Sequence, residues 1–414
     1  MRPRTAIWSL SGLLALLYPL VLWQTERFFS SVPAADAAAS WFWIAQPLFL
    51  TVFFFALSAG MRQKILCYAC IIAASFFLGF AATEAYFSLP GANTTQEKYD
   101  SSNSVHVKSG QATYLYELGD SAPDPVLGYG PNEKMRIASR RVKGGAVIYD
   151  VLYSRDQAGR RITPDRGDKA DTAILLFGCS FTFGEGLNNE ETFAWQLGEI
   201  LGKRFQVFNC GFGGYGPHQM LALVTSGRLD ALMRRYEHVY AFYLIIPGHA
   251  VRCIGLSPWD QSGPRYILKN GALKHVGTFN ETPEYNKLYQ ADKLFARSKV
   301  YAHIKEAHRT GRVPDYAMET LVAITAKSMQ ELAARYHAHA LTIVWPKFAS
   351  IEPLLRNSGI RTLPLTGAMP DYTSVPEKYA IPGDGHPNAL ANTRVAEALA
   401  EYILAHPQAT GERR

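Results

Sequence analysis

Hydrophobic residues are distributed along this chain in two different ways. Within the first 85 residues they form long stretches without Asp, Glu, Lys or Arg, whereas after about residue 90 they form short runs between polar and charged positions. A helix of about 20 apolar residues spans the ~30 Å hydrocarbon core of a bilayer. We therefore predict a membrane anchor over residues 1–88, with three transmembrane helices at about 5–25, 40–60 and 65–84.

The charges that flank these stretches predict the orientation of the anchor. Arg2 and Arg4 precede the first stretch, and Arg62 and Lys64 lie in the turn between the second and the third. The positive-inside rule places the N-terminus and this turn in the cytoplasm. Three crossings then predict a multi-pass protein of the inner membrane whose remaining residues lie on the periplasmic side. A cleaved signal peptide in place of the first helix is an alternative that keeps the same external domain.

The rest of the chain predicts one α/β domain. A polar linker over 89–111 leads into a domain over 112–410, which includes a lead-in at 112–170 and an insertion at 250–316. Short apolar runs that are typical of buried parallel strands alternate with amphipathic helical patterns. The expected fold is a three-layer α/β/α sandwich with a mostly parallel sheet. The predicted strands are 173–177, 204–209, 238–246 and 340–345, and the predicted helices are about 191–202, 217–234, 317–338 and 388–405.

Charge excludes one class of function and leaves another open. The net charge of +7 is spread without a run of five basic residues, which argues against an arm that binds nucleic acid. Residues 133–170 hold ten Lys or Arg against five Asp or Glu. This segment is either a positive face for an acidic glycan or lipid head groups, or a solvated hairpin region. A second hairpin is predicted at 266–274, turning on Asn270 and Gly271.

Three polar motifs follow apolar elements in an order that favours nucleophilic catalysis. FGCSFTFGEGL (177–187) ends the first strand, NCGFGGYG (209–216) ends the second, and GDGHPN (383–388) precedes the last helix. Ligands of parallel sheets bind at the carboxyl ends of the strands. Glycine- and serine-rich loops of this kind also cradle phosphates, but the loop at 177–187 has neither the GK[ST] ending of a Walker loop nor the GxGxxG spacing of a dinucleotide-binding loop.

These motifs resemble the SGNH/GDSL hydrolase superfamily over roughly residues 120–405. The resemblance implies a flavodoxin-like fold in which Ser180 is the nucleophile, His386 is its general base and Asp384 orients the imidazole. It also implies that the N–H groups of Ser180 and Gly214 form the oxyanion hole. It implies neither a cofactor nor a metal.

The sequence departs from the pattern of this superfamily in two places near the nucleophile. Cys179 occupies the position of the Asp in the GDS triplet, and Gly248 followed by His249 stands where an Asn completes the oxyanion hole. We expect either that His249 supplies the missing donor or that the hole has two donors. Because Cys179 and Cys210 end neighbouring strands, a disulfide between them is a further hypothesis.

The function expected from this resemblance is hydrolysis of O-acyl esters on extracytoplasmic carbohydrate by a membrane-anchored enzyme. An O-acetyltransferase of a surface or exported polysaccharide would use the same triad, with a membrane acyltransferase or an export protein as partner. A glycan-binding assembly factor without turnover is a third alternative. The expected partners are thus an acylated carbohydrate and the lipid bilayer, and not nucleic acid.

Overall fold

The computed structural model describes most of the chain and divides it into two compact units. The first unit consists of residues 1–102 with 287–312, and the second consists of residues 103–286 with 313–414. Much of the predicted linker and the whole of the first predicted transmembrane helix lie outside the described residues. The described residues are 37–88, 108–109, 112–113, 121–143, 146–257, 259–281, 295, 298–301, 303–304 and 315–407.

The first unit contains two long apolar helices joined by a short turn. Helix α1 (Ala37–Gly60) contains Pro47, and helix α2 (Lys64–Ser88) follows it closely. Phe54 of α1 and Phe77 of α2 stack with ring centroids 5.7 Å apart. Among the described residues, α2 is long and apolar enough to cross a membrane, whereas the apolar part of α1 is shorter. The prediction of three transmembrane helices therefore stays a prediction.

The second unit is built on five parallel strands. They lie in the order β13-β12-β9-β7-β8, which is the 2-1-3-4-5 order of flavodoxin-like sheets. In such a sheet the strand order reverses between β7 and β9, where ligands bind. The strands of this unit are β1 (Lys108–Ser109), β2 (Ala112–Thr113), β3 (Ser121–Asp124), β4 (Gly128–Pro131), β5 (Arg136–Lys143), β6 (Ala146–Ser154), β7 (Thr172–Phe177), β8 (Phe205–Asn209), β9 (His238–Ile245), β10 (Pro264–Lys269), β11 (Ala272–Thr278), β12 (His339–Val344) and β13 (Thr362–Pro364).

Helices cover both faces of this sheet because consecutive residues of each strand point to opposite sides. Leu175 of β7 packs with the helices of one face and Ile174 packs with those of the other. Helices α5 and α8 lie together on the first face, and α4 and α10 on the second, which confirms the predicted α/β fold. The helices are α3 (Ser180–Phe183), α4 (Phe193–Leu201), α5 (Pro217–Thr225), α6 (Asp230–Met233), α7 (Gly248–Arg252), α8 (Asp315–Tyr336), α9 (Glu352–Asn357) and α10 (Ala389–Ala405).

The elements depart from the predicted boundaries in a few places. The single helix predicted over 217–234 is divided into α5 and α6, with Gly227 in the left-handed region (φ 79°) between them. Strand β13 has three residues, which is too short for a recognisable apolar run. The predicted hairpin around Asn270 and Gly271 is present as β10 and β11, and both turn residues have positive φ. This is the backbone that a tight hairpin turn requires.

The antiparallel hairpin of β5 and β6 forms a third hydrophobic cluster beside the central sheet. Tyr149 and Tyr153 of β6 are buried against Phe183 of α3 and Leu187 in the loop that follows it. The hairpin comes from the segment that the sequence shows as strongly basic. Its apolar face therefore lies beside the loop that carries the candidate nucleophile.

Candidate active site

The candidate nucleophile lies on a tight turn between β7 and α3. Gly178 has a φ of 153°, and a Cβ at this position would lie 2.1 Å from the side-chain oxygen of Thr182. The carbonyl of Cys179 accepts hydrogen bonds from the N–H groups of Thr182 and Phe183, so the helix begins at Ser180 itself. The turn therefore holds Ser180 at the carboxyl end of β7, beside the point where the strand order reverses.

The candidate base and its acidic partner lie on a closed turn before α10. The N–H of Ile381 donates to the carbonyl of His386 over 2.7 Å, and the N–H of His386 donates to the Asp384 carboxylate over 3.0 Å. Gly385 between them has a φ of 94°, which directs both side chains into one site. Asn388 then caps α10 by accepting from the N–H of Ala391. The Asp-x-His spacing is thus sufficient to form the pair.

The structure brings all three predicted residues of the triad together. The Nε2 atom of His386 lies 2.9 Å from the Oγ atom of Ser180, and Nδ1 is hydrogen-bonded to the carboxylate of Asp384. Since Asp384 accepts at Nδ1, the neutral imidazole carries its proton there and Nε2 accepts the Ser180 hydroxyl. The side chain of Asp384 is fully buried, whereas that of His386 is 19% exposed. Ser180 itself is 5% exposed. The hydrogen bonds form the arrangement of an activated serine.

Arg141 of β5 is a further residue of the site that the sequence did not single out. Its guanidinium pairs with the second carboxylate oxygen of Asp384. Burial alone would raise the pKa of Asp384, but the hydrogen bond from His386 and the charges of His386 and Arg141 lower the pKa below its ordinary value. Asp384 is therefore held as an anion that supports an imidazolium.

Glu185 places a second carboxylate beside the same imidazole. Its Oε2 atom lies 3.4 Å from Nε2 of His386, on the side of the ring that faces Ser180. Burial alone would lower the pKa of His386, but the carboxylates of Glu185 and Asp384 together outweigh burial and raise this pKa above its ordinary value. Glu185 thus stabilises the protonated form of His386.

The glycine-rich loop after β8 packs directly on the helix that carries Ser180. The side-chain amide of Asn209 donates to the carbonyl of Thr182 over 2.8 Å, and the N–H of Phe212 donates to the carbonyl of Gly178. A Cβ on Gly211 would lie 2.8 Å from the backbone nitrogen of Phe183. This close approach requires glycine and fixes the loop beside the nucleophile.

Gly214, the second predicted donor of the oxyanion hole, lies at the crowded end of this loop. Its φ is 78°, and a Cβ there would lie 2.5 Å from Nε1 of Trp259 and 2.6 Å from the hydroxyl of Tyr129. In the described part of the chain, neither its N–H nor that of Ser180 donates to a protein acceptor. Both groups have the chemistry that an oxyanion needs, and their assignment to the hole stays a prediction.

His249 lies in α7 and is fully buried. Its Nδ1 atom lies 2.6 Å from the hydroxyl of Tyr243, on whose ring it stacks, and Nε2 has no hydrogen-bond partner among the described residues. Burial, together with the positive charge of Arg252, lowers the pKa of His249 far below its ordinary value, so that it is neutral. Within the described residues no hydrogen bond joins it to Ser180, and its place in the oxyanion hole stays a prediction.

The hypothesis of a disulfide between Cys179 and Cys210 is wrong, since the structure holds both as free thiols. Cys179 packs in the hydrophobic cluster on one face of the sheet and Cys210 packs in the cluster on the other face. Burial raises the pKa of Cys210 to about 11, which keeps it protonated. Neighbouring strand ends do not bring two thiols together when the side chains leave the sheet on opposite sides.

The basic segment 133–170 is not only a solvated surface. Arg161 is 1% exposed, and its guanidinium donates to the carbonyls of Gly184 and Leu187 and to the side chain of Asn189. Burial lowers the pKa of Arg161 to about 10, which still leaves it charged at neutral pH. Arg161 thus fixes the loop after the nucleophile, so two arginines of this segment, Arg141 and Arg161, have partners inside the fold.

Comparisons with known proteins find distant structural matches. No protein-family profile matches the chain and no curated protein matches it. A member of the lipolytic G-D-S-L family from Veillonella parvula is 11% identical, covering 56% of this chain and 98% of its own, with a TM-score of 0.32. A lipase/acylhydrolase from Enterococcus faecalis is 10% identical, covering 56% and 96%, with a TM-score of 0.30. A two-domain esterase active on acetylated mannans is 13% identical, covering 57% and 50%, with a TM-score of 0.32.

The matched structures include a member of the G-D-S-L class that the three motifs resemble. The resemblance to SGNH/GDSL ester hydrolases rests on the order of the three motifs, on the 2-1-3-4-5 sheet and on the hydrogen bonds that join Ser180, His386 and Asp384.

Proposed function

We propose that this protein is a membrane-anchored serine hydrolase of carboxylic esters. The observation that carries the proposal is the hydrogen-bonded series from Ser180 through His386 to Asp384, at the carboxyl end of the central strands. A buried acid, an oriented imidazole and a serine at a helix start are the parts that acyl transfer needs. A binding protein without turnover has no use for this alignment, so we favour an enzyme over an assembly factor.

The proposed mechanism has two steps. The Oγ atom of Ser180 attacks the acyl carbon while Nε2 of His386 takes the hydroxyl proton, and the N–H groups of Ser180 and Gly214 stabilise the negative oxygen. His386 returns the proton to the departing alcohol, which leaves an acyl-serine. Water then attacks this ester with His386 as base, which releases the acid and restores the serine. Asp384 stays ionised throughout and stabilises the imidazolium.

The proposed location is the inner membrane, with the α/β unit on the periplasmic side. Supporting this location, α1 and α2 expose large apolar side chains such as Val52, Phe55 and Phe76, each more than 60% exposed, which lipid would cover. Arg62 and Lys64 in the turn between the helices give the orientation by the positive-inside rule.

The proposed substrates are O-acyl groups on extracytoplasmic carbohydrate, which an external enzyme at the membrane can reach. Transfer of the acyl group to a sugar hydroxyl, in place of water, would use the same acyl-serine. A membrane acyltransferase would then have to supply the acyl donor. The two reactions differ only in the acceptor of the second step.

The test uses the full chain in detergent. We expect the wild type to hydrolyse p-nitrophenyl acetate and to react with a fluorophosphonate at Ser180, located by peptide mass spectrometry. Ser180→Ala should lose both, with a fall in turnover of about 10⁴-fold or more. A folded wild-type chain that neither hydrolyses the ester nor takes the label would contradict the proposal. Adding sugar acceptors to the active protein and measuring acylated sugar against free acid then separates transferase from hydrolase.

A further inference from the structure

The segment 287–312, here called the excursion, belongs to the helical unit although the chain on both sides of it belongs to the α/β unit. The predicted insertion over 250–316 is therefore divided, with the β10–β11 hairpin in the α/β unit and the excursion with α1 and α2. The described residues of the excursion contact the anchor helices.

A buried carboxylate of α2 holds the excursion. Glu84 is fully buried, and its carboxylate accepts hydrogen bonds from the hydroxyl of Ser298 over 2.9 Å, from the N–H of Val300 over 3.0 Å and from the N–H of Lys299. Ser298 in turn accepts from the N–H of Tyr301 over 3.0 Å. A carboxylate buried on an apolar helix is costly unless such donors satisfy it.

Aromatic contacts extend the same attachment to both helices. Phe87 of α2 stacks on His303 with ring centroids 4.5 Å apart, and Trp43 of α1 lies 5.4 Å from Phe295 by the same measure. Glu84 follows Lys64, the first residue of α2, by 20 residues, which is about 30 Å along the helix axis. If Lys64 lies at the cytoplasmic surface, the contacts to the excursion lie at the opposite surface of the bilayer.

We propose that the excursion is a second, non-covalent attachment of the catalytic unit to the membrane anchor, held by the Glu84 carboxylate, in addition to the covalent linker after α2. The membrane location rests on the proposed function, whereas the docking of the excursion on α2 does not.

The test cuts the linker and asks whether the catalytic unit stays bound. A recognition site for a specific protease is placed between residues 99 and 100 of the full chain, which is then cleaved in native membranes and sedimented. We expect the C-terminal fragment of the wild type to remain in the pellet. In Glu84→Ala, which removes three acceptor bonds, the ratio of released to bound fragment should rise by about tenfold or more.

Thr83→Ala is the matched control, because the Thr83 hydroxyl is exposed and, among the described residues, its one hydrogen bond goes to the carbonyl of Gly79 within α2. It should retain the fragment as the wild type does. Release of the wild-type fragment on cleavage, or equal retention of the wild-type and Glu84→Ala fragments, would overturn the proposal. Uncut chain that washes off the membrane at alkaline pH would instead contradict the membrane location alone.

A cross-link measures the docking without reference to a membrane. In a chain with Cys67→Ala and Cys70→Ala, the pair Phe87→Cys and His303→Cys should form a disulfide that joins the two fragments after cleavage. The neighbouring pair Tyr86→Cys and His303→Cys should not form this disulfide, since the side chain of Tyr86 is 59% exposed to solvent. Fragments that separate on a non-reducing gel with the Phe87 pair would reject the docking.

Discussion

Among its described residues, the α/β unit contains two Asp–His pairs that differ in what surrounds them. In the first, His386 bonds Asp384 through Nδ1 and keeps Nε2 for Ser180, and its side chain is partly exposed. In the second, His218 at the start of α5 bonds Asp260 over 2.6 Å through Nε2, and both side chains are fully buried. Gln219 donates to the same carboxylate oxygen of Asp260 over 2.7 Å.

The comparison shows that an acid and an imidazole in contact do not make a catalytic site. The second pair has no nucleophile on its free nitrogen, and Nδ1 of His218 has no hydrogen-bond partner among the described residues. It lies beside the glycine-rich loop, where Gln219 accepts from the N–H of Gly216 over 2.8 Å. We interpret it as a support of that loop. A partly exposed imidazole and a serine at its far nitrogen distinguish the first pair.

The largest difference between the pairs should appear when each loses its carboxylate charge. Asp384→Asn keeps the shape of the side chain but favours the wrong tautomer of His386, so turnover should fall by about 10⁴-fold. Steady-state ester hydrolysis measures this, with unchanged thermal unfolding as evidence that the fold is intact. A variant of Asp384 with more than a tenth of wild-type turnover would remove this residue from the triad.

Asp260→Ala should instead lower stability strongly and turnover only weakly. The substitution leaves the buried donors of His218 and Gln219 without an acceptor, and the free energy of unfolding should fall by about 3 kcal/mol. Turnover at low temperature should fall far less than in Asp384→Asn, because Asp260 touches no reacting group. The midpoint of thermal unfolding, measured beside turnover, tests both parts. A stable Asp260→Ala protein that has lost its turnover would show that the second pair is needed for catalysis.

The two pairs also differ in how far the sequence predicts them. Asp384 and His386 lie two residues apart before a helix, and Ser180 comes shortly after an apolar strand, so all three lie in local motifs, and the resemblance to SGNH/GDSL hydrolases implies their roles. Asp260 and His218 are 42 residues apart, and only the tertiary fold brings them together. Four of the five strands of the central sheet were predicted from local pattern as well, since each contains a short apolar run, whereas the three-residue strand β13 was not predicted.

What the sequence did not predict depends on contacts between distant segments. Arg141 lies 243 residues from Asp384, and its position depends on the pairing of β5 with β6, whose register shifts between Arg141 and Val142. Arg161 looks like a surface charge by composition, yet backbone carbonyls surround it. Neither partner can be read from periodicity, because a buried arginine and an exposed one give the same pattern.

The smallest expected effect concerns the carboxylate of Glu185, which lies beside Nε2 of His386 in the first pair. Asp384, Glu185 and Arg141 are the charged groups that face His386, and the two carboxylates raise its pKa above the ordinary value against burial and Arg141. Hydrolysis needs the neutral imidazole, so kcat/KM should fall as pH decreases through this pKa. Glu185→Gln removes one carboxylate charge, which lowers the pKa and moves the acid limb of the profile to lower pH.

Glu199→Gln is the matched control for this shift, because Glu199 of α4 pairs with Arg166 and not with His386, and its profile should overlie that of the wild type. The plateau of kcat/KM at high pH should change little in Glu185→Gln, since His386 is then neutral in both proteins. An acid limb that stays in place, or moves to higher pH, would mean that Glu185 does not act on His386 through its charge. The catalytic pair would then depend on Asp384 alone, as the buried pair depends on Asp260.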